Sequence, residues 1–349
     1  MLEHPNPQIE LTDLGNARRL VARHGENVRH VPPWRKWLVW DGRRWCQDET
    51  GEIERLAKET VVALYNEASS DLLDKEKRLD LVRHAQHSEA EPRLRAMIRL
   101  AQSEPGIPVL PKDFDSDRYL FNVNNGTLDL KTGQLRAQCR EDLITKLAPV
   151  DYQPDATCPT WDKFIHRIMA GDQEMIHYLR RALGYSLTGD TCEQCLFIGV
   201  GKGNNGKTTL LEVVRATMGG YAIQAETKTL LERGRDGIPN DVARLAGARF
   251  IAAAEAKVRS QLACSVVKTL TGGDTILARY LYGEFFQFEP QGKWFLAVNH
   301  LPEVEDSTDS MWRRIKVIDF PVSIPADERD KHLKEKLLME RSGILRWMV

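Results

Sequence analysis

The stretch Gly201-Lys202-Gly203-Asn204-Asn205-Gly206-Lys207-Thr208 restricts the fold more than any other part of the chain. It fits the pattern G-x-x-x-x-G-K-[ST], in which glycines let the backbone turn its N–H groups inward around phosphate oxygens. In that pattern Lys207 reaches the β- and γ-phosphates, Thr208 offers a hydroxyl to Mg²⁺, and the helix that begins there points its positive end at the anion. The motif needs a strand before it and a helix after it. Cys195-Leu196-Phe197-Ile198 reads as a buried strand, and Thr209 to Met218 has helical apolar spacing that stops at Gly219-Gly220. The candidate nucleotide-binding set is therefore Gly201, Gly203, Asn204, Asn205, Gly206, Lys207, Thr208 and Thr209.

At 349 residues, with 42% hydrophobic and 28% charged, the chain has the composition of a soluble globular protein of about two domains. A net charge of −1 provides no bulk attraction to nucleic acid, so any such contact must come from local basic patches. No apolar run approaches the length of a membrane span, and Met1-Leu2-Glu3-His4-Pro5 lacks a basic segment followed by an apolar one. These features predict a cytoplasmic protein with no membrane partner. The six cysteines are scattered, as free thiols in a reducing compartment are. Cys192-Glu193-Gln194-Cys195 is formally C-x-x-C, but no second pair stands at metal spacing, and ordinary thiols beside a core strand are the expectation.

Ahead of the loop the chain reads as mainly helical. Residues 9–30 look helical and basic, with Arg18, Arg19 and Arg23, until Pro32-Pro33. Trp34, Trp37, Trp40 and Trp45 then cluster, and Leu38-Val39-Trp40, Asp41-Gly42 and Arg43-Arg44-Trp45 read as a hairpin with a two-residue turn. Tryptophans alternating with Arg35, Lys36, Arg43 and Arg44 suit a stacking platform for single-stranded nucleic acid. More often such a hairpin packs its rings on neighbouring helices. Helical spacing runs from about Glu52 to Ser103, where His84 and His87 lie one turn apart on what reads as a solvated face. Two hairpin-like units follow at residues 120–126 and 128–133, then helices at 159–169 and 172–187, with Asp172 a plausible cap. The expected division is 1–190, a mainly helical domain with a Trp-rich β-hairpin, and 191–349, an α/β domain.

Four further features follow the loop in order. Arg249 to Glu255 is a buried-strand run ending in a carboxylate, expected beside the phosphate loop, where Glu255 is placed to hold Mg²⁺ or polarise water. Lys268-Thr269-Leu270-Thr271-Gly272-Gly273-Asp274 leads into a β-hairpin, Ile276 to Phe288, with its tip near Tyr282-Gly283-Glu284. Lys293 to Asn299 is an apolar strand ending in an amide able to position water. Trp312-Arg313-Arg314 precedes the strand Ile315 to Phe320, and an arginine there is either surface decoration or a finger presented to a neighbour's nucleotide.

This ordered set resembles the superfamily 3 helicases, and within them the phage and plasmid primase-helicases related to the poxvirus replication ATPase. The resemblance rests on the loop with Asn204-Asn205, the strand ending in Glu255, Lys268-x-x-Thr271-Gly272-Gly273-Asp274, Asn299-His300-Leu301-Pro302 and Trp312-Arg313-Arg314. It implies an α/β P-loop NTPase of AAA+ type, a parallel central sheet with helices on both faces, preceded here by the mainly helical domain with short β-hairpins. It implies ATP and Mg²⁺ as cofactors, Lys207 and Thr208 in the phosphate and metal roles, Glu255 as catalytic carboxylate and metal partner, Asn299 as sensor, and Arg314 in preference to Arg313 as a finger acting in trans.

The resemblance also implies a ring, usually of six, that moves 3′-to-5′ on single-stranded or forked DNA in a bacterial or phage-infected cell. Related helicases usually carry lysine or histidine at the hairpin tip. Here Lys268, Arg279 or the aromatic Tyr282 is expected to meet DNA instead. A DNA-binding or loading scaffold with weak ATPase is the alternative reading of that tip. No primase domain is read ahead of the helical region, which leaves a separate primase as a partner, and the ATPase domain reads as truncated within the helix from Gly343 onward.

Overall fold

The computed structural model describes residues 10–70, 73–231, 240–254, 261–279, 285–306 and 308–349. Among them the chain forms two compact units, Met1–Ser116 with Cys139–Thr145, and Asp117–Gln138 with Lys146–Val349.

In the first unit the opening helix is Asp13–His24, capped by the Thr12 hydroxyl, which accepts from Gly15 N at 3.0 Å. It is shorter than residues 9–30 because the chain turns at Gly25 into the strand Val28–Val31. That strand, Lys36–Trp40 and Trp45–Gln47 form an antiparallel sheet in sequence order. Trp40 pairs with Trp45, so the expected two-residue turn is a four-residue loop, closed by the Asp41 carboxylate accepting from Arg43 N and Arg44 N at 2.8 Å. Helices Glu52–Ala68, Lys75–Ser88 and Glu91–Ala101 complete the unit. Their apolar faces bury Ile53, Ala57, Val61 and Met97 with Trp37, and Trp45 packs with Val31, Leu38 and Phe114. Trp37 and Trp45 are thus core residues, whereas Trp34 is 46% exposed. His84 is not on a solvated face, since its Nε2 lies 2.8 Å from Asn16 Oδ1.

The second unit is built on five parallel strands in the spatial order Ile315–Asp319, Leu196–Val200, Lys293–Val298, Phe250–Ala254, Ala222–Gln224. The three central strands are near-continuous apolar runs because both faces are covered. One face carries Phe197, Phe250 and Phe295 into a core shared with helices Pro159–Ile168, Gln173–Tyr185, Lys207–Met218, Leu333–Met339 and Arg341–Met348. The opposite face carries Leu196, Ile198, Ile251, Trp294 and Leu296 against the helix Cys264–Thr271. The small strands Leu120–Val123, Gly126–Asp129 and Gln134–Arg136 join in one sheet, tied in by Phe121 stacked on Tyr221 at 4.5 Å.

The compact units therefore part earlier than the expected break near 190. Trp161, Phe164, Ile168 and Leu183 are buried in the same core as Phe197 and Leu210, so the helices before the phosphate loop belong with the sheet they cover. At the amino-terminal edge of the sheet two buried cations fasten this arrangement. The Lys293 ammonium donates to the carbonyls of Thr188, Asp190 and Gln291, and the Arg249 guanidinium donates to those of Leu120, Leu187 and Asp117.

Candidate nucleotide site

All five strands run the same way, so their carboxyl ends share one edge, where α/β sheets bind ligands. The strand Leu196–Val200 opens there into Gly201–Gly206, and the helix Lys207–Met218 starts directly afterwards. Gly203 and Gly206 have φ of +95° and +83°, and Asn204 has +49°. A Cβ on Gly206 would also stand 2.6 Å from Ile168 Cγ2, because the helix Pro159–Ile168 packs under the loop. At Gly201 the constraint is close approach, with Asn205 Nδ2 at 2.1 Å and the Phe320 carbonyl oxygen at 2.6 Å from a Cβ placed there.

Lys207 is 6% exposed. Its ammonium donates to Gly201 O at 2.7 Å and to Asn205 Oδ1 at 2.9 Å, and Phe320 lies 6.0 Å away, ring centroid to Nζ. Burial pushes its pKa below the ordinary lysine value, so the site disfavours the positive charge it holds. An anion in the loop removes that penalty, and the inward-turned lysine at a helix start fits a polyphosphate. Thr208 is exposed at the first turn of the helix and Thr209 is half-buried beside it, which leaves the Thr208 hydroxyl open to a hydrated divalent cation.

The strand Phe250–Ala254 is not beside the phosphate-loop strand as expected. Lys293–Val298 lies between them, so the exposed Asn299 that follows Val298 comes next to the loop, and Ala254 is one strand further out. Glu255 lies outside the described residues.

Arg313 and Arg314 sit at the other end. Arg314 O accepts from Leu196 N at 2.7 Å, level with the start of the phosphate-loop strand. From there to Val200 the strand rises about 13 Å, so neither arginine shares an edge with Lys207. Arg314 is 8% exposed, donates to Ser310 O and to Gln194 Oε1, and burial lowers its pKa. Arg313 is exposed and meets the same Gln194 Oε1 at 2.9 Å.

Of the residues expected to meet DNA, Lys268 is ion-paired with Asp306 at 2.6 Å. That pair and the Thr308 bonds hold the Asp306 carboxyl well below the usual range. Arg279 is exposed on the expected hairpin, Ile276–Arg279 with Phe285–Phe288, and lies 5.0 Å from the Phe285 ring centroid. Tyr282 and the tip lie outside the described residues.

Three residues were not singled out in advance as site residues. Phe320 bonds back through its N–H to Val200 O at 2.8 Å, Ile324 N donates to Asn204 O at 2.8 Å, and Gln194 holds both arginines. Phe320 was the one within reach, since a residue that follows a parallel apolar strand falls at the loop edge. Gln194 has no sequence signal, because its role is an Oε1 that accepts from Arg313 and Arg314, 119 and 120 residues further along the chain.

The sheet and the loop at its carboxyl edge define an α/β P-loop NTPase fold of AAA+ type. Residues 17–170 match the family described as D5 N terminal like, and residues 199–314 match a family of unknown function (DUF5906). A relative from Acanthamoeba polyphaga mimivirus, named "Putative helicase L207/L206", is 30% identical over 243 residues, 68% of this chain and 25% of that protein. One from Frog virus 3 (isolate Goorha), named "Putative helicase 022R", is 31% identical over 276 residues, 59% of this chain and 28% of that protein. A solved structure described as the A form apo structure of the NrS-1 C terminal region is similar over 97% of this chain and 69% of that one, with a TM-score of 0.58 at 12% identity. The chain is thus similar to D5 N terminal like proteins over residues 17–170 and to large-virus proteins named putative helicases. It spans about a quarter of the length of the curated relatives it matches.

Proposed function

We propose that the chain is the ATPase module of a replicative DNA helicase, which hydrolyses ATP with Mg²⁺ at interfaces between copies of itself and uses the cycle to move on single-stranded DNA. The observation that carries this reading is the separation of Lys207 and the arginine pair to opposite edges of one sheet. A subunit cannot bring Arg313 or Arg314 to its own phosphates without taking the sheet apart. In a head-to-tail ring each arginine edge faces a neighbour's loop edge, and every interface is complete.

In this reading Lys207 and the loop N–H groups hold the phosphates, and Thr208 with Glu255 holds the metal, which supplies charge neutralisation on the phosphoryl oxygens. Asn299, next to the loop, orients water. Arg314 is the preferred finger on position, and it must leave Ser310 and Gln194 to act. Arg313 is the exposed one of the pair.

Mixing two inactive proteins tests the shared site. Lys207→Ala and Arg314→Ala are each expected to lower ATP turnover by about three orders of magnitude. Mixed, they should regain part of it, since some interfaces then hold both groups. Assembly without recovery would overturn the trans role. Strand displacement on a forked substrate tests the helicase step. ATPase indifferent to single-stranded DNA, with no displacement, would leave a nucleotide-dependent scaffold in place of a helicase.

A further inference from the structure

Trp34 is the one tryptophan of the first unit's cluster that the fold leaves exposed. The segment Pro32–Trp34 is a short 3-10 turn, and it is followed by Arg35 in the left-handed region at φ +52°. Alongside it runs the segment from Ile107, joined by His30 N to Ile107 O and Val109 N to His30 O, both 2.9 Å, with His30 bridged to Pro108 in parallel. That register brings the second 3-10 turn, Pro111–Asp113, level with the first. One face of Trp34 is consequently stacked on Phe114, with centroids 6.2 Å apart and planes 18° apart, while 46% of the residue stays open to water.

Three basic residues lie next to this ring in sequence and register. Arg35, Lys36 and Lys112 are all exposed, and none has an acidic partner within 4.0 Å among the described residues. The acids of the same segment are turned onto the backbone, Asp113 to Leu110 N at 3.1 Å and Asp115 to Thr145 N at 2.8 Å. An aromatic ring braced from behind, open in front and flanked by unpaired cations is the combination that binds single strands, because every base has a face to stack and every nucleotide a phosphate. A core role does not explain the exposure, since Trp37 and Trp45 already fill the core.

We infer that Trp34, backed by Phe114 and flanked by Arg35, Lys36 and Lys112, is a base-stacking site for single-stranded DNA that works without nucleotide. The choice of DNA as the strand rests on the proposed function; the stacking geometry does not. Binding of the whole chain to a fluorescein-labelled oligothymidine, followed by anisotropy without nucleotide, tests it. Trp34→Ala should bind about tenfold more weakly, and Trp34→Phe should keep most of the affinity. Lys36→Glu with Lys112→Glu should weaken binding and flatten its salt dependence. Trp34→Ala should lose the same factor in a Lys207→Ala background, and should leave affinity for a blunt duplex unchanged.

Unchanged affinity in Trp34→Ala, or an equal loss on duplex, would overturn the site. If Trp34→Ala does not fold, the charge-reversal pair decides, and full affinity in that pair overturns it. DNA-stimulated ATPase in the parent protein keeps the two readings apart. A Trp34 result that fails while stimulation persists removes this site alone, whereas a parent that neither binds nor responds to single strands removes both.

Discussion

Lys293 shows how much a single buried side chain carries. The residue is 1% exposed, and its ammonium satisfies the carbonyls of Thr188 and Asp190, between helix Gln173–Tyr185 and the phosphate-loop strand, and that of Gln291 just before its own strand. Burial, with the Arg249 guanidinium adding to it, pushes its pKa well down. Lys293→Met removes that disfavoured charge but orphans all three acceptors, and the second effect is larger. We expect a loss of about 2–4 kcal/mol in urea unfolding. The buried thiols supply a pH test. Burial pushes Cys158 up to about 12 and Cys195 up to about 11. The unfolded chain ionises these thiols from about pH 8.5, while the folded chain keeps them protonated. Their contribution is therefore present below that pH and lost as pH rises toward 11 and 12. Cys158→Ala should unfold with a shallower fall of stability through that range. In the native protein near pH 8, iodoacetamide should modify the exposed Cys192 well before Cys158 or Cys195.

At the scale of elements, the phosphate loop depends on the helix beneath it. Gly206→Ala combines a left-handed backbone position with a Cβ 2.6 Å from Ile168 and 3.0 Å from Phe164. It should cost about 1–3 kcal/mol and abolish nucleotide binding, read by thermal shift with and without ATP. The loop, its strand and its helix were legible in the sequence because glycine spacing and apolar periodicity report local backbone. So were the hairpin at Ile276–Phe288, the cap at Asp172, which accepts from Met175 N at 3.1 Å, and the strand after Arg314. Spatial order was not legible. Nothing in the runs ending at Ala254 and Val298 says which one lies beside Leu196–Val200, since both are buried on both faces. The short strand Ala222–Gln224 was missed for a related reason, having three residues and no apolar run.

For the whole molecule, the charge of −1 said nothing about where cations gather, and the structure separates their uses. Arg249 and Lys293 are spent on carbonyls inside the fold, Lys268 on Asp306, while Arg35, Lys36 and Lys112 stay open. The compact units do not part near 190, where helices give way to strands, because packing does not change there: Trp161 and Phe164 face the same core as Phe295. The proposed site, divided between copies, would make activity a property of the assembly. ATP turnover per subunit should therefore rise with protein concentration and level off where sedimentation shows the ring complete. A rate per subunit that is independent of dilution into the monomer range would contradict the shared site.

The strand Ile315–Asp319 has a mechanical side. At one end it is clamped to the phosphate loop, through Phe320 N to Val200 O and Ile324 N to Asn204 O. At the other it carries Arg313 and Arg314. A hydrogen-bonded strand in a sheet hardly stretches and is held along its length by Leu196–Val200, so in the proposed ring a shift of the loop would carry the strand and its arginines with it, and each firing would set the timing of the next.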